Sequence, residues 1–61
     1  MKIKSNQIIF TNRDLDFTTT GGPFIPKGTE VTVMRRRRNN LSFWGNAKNY
    51  GQREFLMSDF N

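Results

Sequence analysis

The sequence contains no cysteine and no histidine. Without cysteine there is no disulfide framework, no thiolate nucleophile and no thiolate metal site. Without histidine the usual zinc sites and the usual general base are excluded as well. No apolar run reaches the length of a membrane span, and the opening Met1-Lys2-Ile3-Lys4-Ser5-Asn6-Gln7 lacks the apolar stretch of a signal peptide, so the expected compartment is the cytoplasm. No stretch of useful length carries the helical period, which disfavours an amphipathic membrane-surface helix. The five acids, Asp14, Asp16, Glu30, Glu54 and Asp59, stand in no catalytic context. Asp14 and Asp16 face one side of an extended segment, as at some oxygen-ligand cation sites, but a second segment would have to complete such a site. Solvated or turn-capping carboxylates are the simpler expectation. Gly21-Gly22 lacks the lysine and the strand-to-helix setting of a phosphate loop. These absences point away from an enzyme, with no cofactor and no metal expected.

What is present is small, aromatic and basic. With 61 residues there is room for one domain, near the lower limit at which a core holds without disulfides or metal. Only 34% of residues are hydrophobic, but six Phe, Trp44 and Tyr50 are among them, and aromatics bury the most area per side chain. Ten Lys and Arg against five acids give a net charge of +5 and a pI near 10.5. That balance favours polyanionic partners: nucleic acid, an anionic membrane surface or an acidic protein. Its plainer use is solubility.

Strand signals dominate the chain, because β-branched and aromatic residues recur with a period of two between Gly, Pro and Asn. Gln7 to Thr11 reads as a first strand. A polar excursion follows through Asn12 to Pro23, in which Gly21-Gly22-Pro23 is a strong loop signal. Phe24 to Thr29 reads as a turn. Glu30 to Met34 alternates cleanly, with Val31 and Val33 inward. Continued alternation would drive Arg35 and Arg37 into the core, where an unpaired charge is too costly. The strand is therefore expected to leave the core near Met34, with the arginines and Asn39-Asn40 on an exposed strand end and loop. Leu41 to Ala47 is the next strand, with Leu41, Phe43, Gly45 and Ala47 on one face and Ser42 and Trp44 on the other. Lys48-Asn49-Tyr50-Gly51 is a turn in which Gly51 is free to take positive φ. Arg53 to Met57 returns, and Ser58 to Asn61 is long enough only for one helical turn or a terminal strand.

From Phe24 to Phe60 this order resembles the Src-homology-3-like barrel, a small five-stranded all-β fold of many binding proteins. Lys27-Gly28-Thr29-Glu30-Val31-Thr32-Val33 is similar to that family's diverging turn and following strand, often K-G-D-x-hydrophobic-x-V. Phe43-Trp44-Gly45 before a turn is similar to its paired-aromatic strand, and Phe55-Leu56-Met57-Ser58-Asp59-Phe60 to its ending, hydrophobic-hydrophobic-Pro-Ser-Asn-Tyr. The resemblance implies one five-stranded Src-homology-3-like barrel for the chain. The peptide-binding members carry Ala-Leu-Tyr-Asp-Tyr where this chain has Asp14-Leu15-Asp16-Phe17, an acidic loop where it has Thr18-Thr19-Thr20-Gly21-Gly22, and a groove proline where it has Met57. These departures argue against recognition of proline-rich peptides, and the fold alone selects no function.

Arg35, Arg36, Arg37 and Arg38 are the most informative residues. Guanidinium groups bind phosphate and carboxylate in bidentate fashion and stay charged at any biological pH. Four in succession suit a nucleic-acid backbone, although a charged loop also guards a sheet edge against aggregation. Trp44, on an outer face, suits stacking on a base or anchoring a partner protein, unless the termini or Tyr50 cover it. Lys48, Tyr50 and Arg53 complete the candidate site. The leading expectation is a nucleic-acid-binding module, DNA or RNA, that works mainly through phosphate contacts. The alternative is an interaction module or inhibitor that docks an acidic surface of a larger, possibly host, protein; a short frame rich in Asn and Lys would suit a phage-encoded protein of either kind.

Overall fold

The structure, a computed structural model, describes residues 3–37 and 41–60. Arg38, Asn39 and Asn40 of the expected basic loop lie outside the described residues. The fold is all-β, in two antiparallel sheets, with no α-helix among the described residues. Strands β1 (Ile8–Phe10), β4 (Glu30–Arg36), β5 (Ser42–Ala47) and β6 (Gly51–Leu56) form one sheet in the order β1-β4-β5-β6. Strands β2 (Leu15–Asp16) and β3 (Phe24–Ile25) form the other. A 3-10 turn over Thr18–Thr20 bridges β2 to β3, and a second, Met57–Asp59, follows β6. No continuous ladder closes the described strands into a barrel; one isolated bridge, Thr11 to Phe60, joins the end of the first strand to the C-terminal segment.

Alternation explains the core. Ile9, Val31, Val33, Phe43, Ala47 and Phe55 point inward, joined by Ile3, Leu15, Ile25 and Phe60. The ring of Phe43 stacks on Phe55 with centroids 5.7 Å apart and meets Phe60 edge-on at 5.2 Å. Gly45 lies under this cluster. A Cβ there would come within 2.8 Å of the Phe43 ring and 2.9 Å of Val31, so a side chain would overpack the sheet. The β5–β6 turn needs positive φ at Asn49 (73°) and Gly51 (88°), as expected for Gly51.

Several local expectations are corrected. Phe24–Ile25 is not a turn but a strand; Leu15 and Ile25 face each other across the β2–β3 pair and both are buried, so two residues suffice where no period is visible. Leu41 is 68% exposed rather than inward, whereas Ser42 is buried because its hydroxyl donates to Glu54 Oε2 at 2.9 Å. The acids do structural work. Asp14 accepts the Lys27 amide at 2.7 Å. Asp16 accepts the Thr18 hydroxyl and amide, bonds that hold its carboxyl below the ordinary value. Buried Asp59 pairs with Arg13 at 2.6 Å beside the Thr11–Phe60 bridge. No helix among the described residues is long and apolar enough to cross a membrane.

The largest difference lies in β4: Arg35 and Arg36 form its exposed end, as expected, but the strand stays paired with β5 through Arg36 instead of leaving near Met34. Val33 pairs with Gly45 and Arg35 with Trp44, so Met34 is the extra residue of a β-bulge. The bulge resets the alternation by one position and turns Arg35 to the Trp44 face, removing the electrostatic conflict without ending the strand. A test follows. Deleting Met34 joins Val33 to Arg35 and leaves each opposite its present partner, so stability should change by only about 1 kcal/mol. Deleting Thr32 instead makes Val31 and Val33 adjacent, so that they point to opposite faces and one buried valine leaves the core, which should lower the thermal midpoint seen by circular dichroism far more. Equal damage from both deletions would refute the bulge.

Candidate functional site

The bulge builds the site. Met34, Arg35 and Arg37 from β4 and its end, with Trp44 from β5, line an open groove of about 380 Å³. Arg35 stands directly across from Trp44, and Glu54 of β6 stands on the other side of the indole. The Trp44 Nε1–H donates to Gln52 Oε1 at 3.3 Å, which ties the indole toward β6, and Trp44 is 40% exposed. Below the groove the Arg37 amide donates to the Ser42 carbonyl at 3.2 Å, which continues the β4–β5 ladder one step beyond the strand.

The groove is electrostatically open. Arg37 Nε lies 3.7 Å from Glu54 Oε2, with both side chains about half exposed. Solvent-screened pairs of this kind contribute ~0–1 kcal/mol, so an incoming anion displaces Glu54 at little cost. Arg35 and Arg36 are exposed. Arg36 pairs in register with Phe43 and so takes the opposite side of the strand from Arg35.

The remaining expected residues do not join this cluster. Lys48 and Tyr50 are exposed in the β5–β6 turn, four residues from Trp44 or about 13 Å along the strand. Arg53 lies on the other face, since it pairs with Gly45 while Trp44 pairs with Glu54. Its guanidinium carbon sits 3.4 Å from the Phe17 ring centroid, a cation–π contact, and its Nε is buried without a hydrogen-bond partner. Counting back by two from inward Phe55 places Arg53 inward, a signal available in the sequence. Arg38 lies outside the described residues.

The sheet face around the groove carries residues to which the sequence pattern drew no attention. Ile8, Met34, Trp44 and Leu56, one from each strand, are all exposed and lie on a diagonal. Phe10 is exposed at one end of β1. Among the described residues no three potential metal-ligating side chains converge. Protein-family models, curated proteins and solved structures include none that matches this chain.

Proposed function

We propose that the protein is a non-enzymatic binding module that engages single-stranded nucleic acid, DNA or RNA, in the groove of Arg35, Arg37 and Trp44. The observation that carries this reading is the cross-strand pair of Arg35 and Trp44, which offers a phosphate ligand and a stacking surface side by side in one open groove. Stacking tolerates any base and phosphate contacts ignore sequence, so the expected binding is strong in salt dependence and weak in sequence preference. A net charge of +5 favours the same partner, and the cytoplasm is where such a partner is met. The five-stranded Src-homology-3-like barrel belongs to the same proposal. Its support is the β1-β4-β5-β6 order, the 3-10 turn Met57–Asp59 and the Thr11–Phe60 bridge, which brings the C-terminal segment beside the end of the first strand.

Trp44 is the sole tryptophan, so its fluorescence reports directly on the groove. At low salt, single-stranded oligonucleotides should bind and quench it, and Trp44→Ala should weaken single-strand binding by ~1–3 kcal/mol, measured by anisotropy of labelled DNA and RNA. Absence of binding to single or double strands of either kind would end the proposal. A second reading, an interaction module or inhibitor on an acidic protein surface, is favoured by the exposed aliphatic residues Ile8 and Leu56 on the same diagonal. Copurification of a partner that survives nuclease treatment would support it.

A further inference from the structure

The face that carries Trp44 holds a second exposed aromatic ring. Ile9 is buried opposite Val31, so Ile8 and Phe10 must point to the outer face, and Phe10 stands across from Glu30 with half of its surface in water. Leaving a Phe ring exposed forgoes the stabilisation that burying it would bring. Between the Phe10–Glu30 row and the Arg35–Trp44 row runs an uncharged row in register across all four strands: Ile8, Thr32, Asn46, Gln52. Strand rise and spacing put the two rings about 16 Å apart, two strands over and four residues along.

We infer that Phe10 is a second stacking position, so that a bound single strand crosses the sheet diagonally from the arginine groove to β1. The inference rests on the nucleic-acid reading of the groove. One base stacks on Trp44 while Arg35 and Arg37 hold the adjoining phosphates. The strand then passes over the Thr32 hydroxyl and the Asn46 amide, which offer both donors and acceptors to base edges, and a later base stacks on Phe10. Charge complementarity selects this occupant: the arginines stand at one end of the path, and a hydroxyl and an amide rather than further aliphatic groups lie under its middle. The footprint is several nucleotides, within the range of other small β-folds that bind single strands.

Length dependence tests the path. Oligothymidylates of about two nucleotides reach only the groove, and those of about eight reach both rings. Phe10→Ala should leave affinity for the short ones unchanged and lower affinity for the long ones at least about fivefold, with an unaltered salt slope. A chain carrying Phe10→Trp and Trp44→Phe supplies a direct reporter, whose fluorescence the long oligomer should quench. If wild-type protein binds the long oligomer and Phe10→Ala changes nothing, or the relocated indole stays unquenched, the second position is refuted while the groove stands. If wild-type protein binds neither length, both proposals fall, and the face is then to be tested against acidic protein.

Discussion

Phe43→Ala should leave the chain largely unfolded at room temperature. Phe43 is fully buried and is the ring that touches both Phe55 and Phe60, and so it ties β5 to β6 and to the C-terminal segment that bridges Thr11. Truncating such a ring costs ~3–5 kcal/mol, the forfeited transfer energy plus an unfilled cavity. A domain this small, without disulfide or metal, has a total stability of about the same size. Val33→Ala removes less volume from an equally buried position and should leave a folded but weakened protein. Thr32 pairs with Ile8 and Asn46 on the outer face, so Thr32→Ala should stay within about 0.5 kcal/mol of wild type. Thermal melts followed by circular dichroism order the three. A Phe43→Ala protein that melts within a few degrees of wild type would mean that the core is built elsewhere, because 1 kcal/mol moves the midpoint of a domain this size by about 4–8 °C.

That Phe43 is inward and Trp44 outward was legible from alternation alone, because Phe43, Gly45 and Ala47 form one face of a six-residue strand. The same period identified Val31 and Val33. Electrostatics identified a conflict at Arg35 but not its resolution: ending the strand and inserting a bulge both keep the charge in water, and only the pairing to Trp44 distinguishes them. The strand Phe24–Ile25 carries no signal in the sequence because two residues have no period; its partner Leu15 lies ten residues away, across a polar loop. Leu41 precedes β5 and so lies outside its alternation, while Ser42 keeps the face of Trp44 and is buried there with its hydroxyl bonded to Glu54. Within the candidate site, the proximity of Arg35 and Trp44 depends on register, which no local signal specifies. Charge alone groups Arg53 with the other cations, although its place in β6 puts it against Phe17.

Replacing Arg35, Arg36, Arg37 and Arg38 together with alanine should lower affinity for a single strand by about a hundredfold or more at low salt, while the circular dichroism stays that of wild type. The fold is insulated because the three described arginines are exposed, and the one ion pair among them, Arg37 with Glu54, is screened. Removing four of the ten basic charges takes the net charge from +5 to +1, so long-range attraction weakens along with direct binding. A hydrogen bond to a charged group contributes ~1.5 kcal/mol or more, and removing two such bonds already reaches a hundredfold. Each phosphate that an arginine neutralises also releases condensed counterions, so on a single strand the plot of log affinity against log salt should flatten by roughly 0.7 for every phosphate left without its arginine. Two controls separate charge from place. Lys48→Ala lies about 13 Å from the groove and should flatten the slope by no more than a single phosphate's share. Arg53→Ala removes the same charge from the opposite face; it should lower thermal stability by releasing the Phe17 ring and leave the slope near wild type. If the quadruple substitution and Arg53→Ala weaken binding in proportion to charge alone, the polyanion is held by the net field of the protein and the groove is not its site.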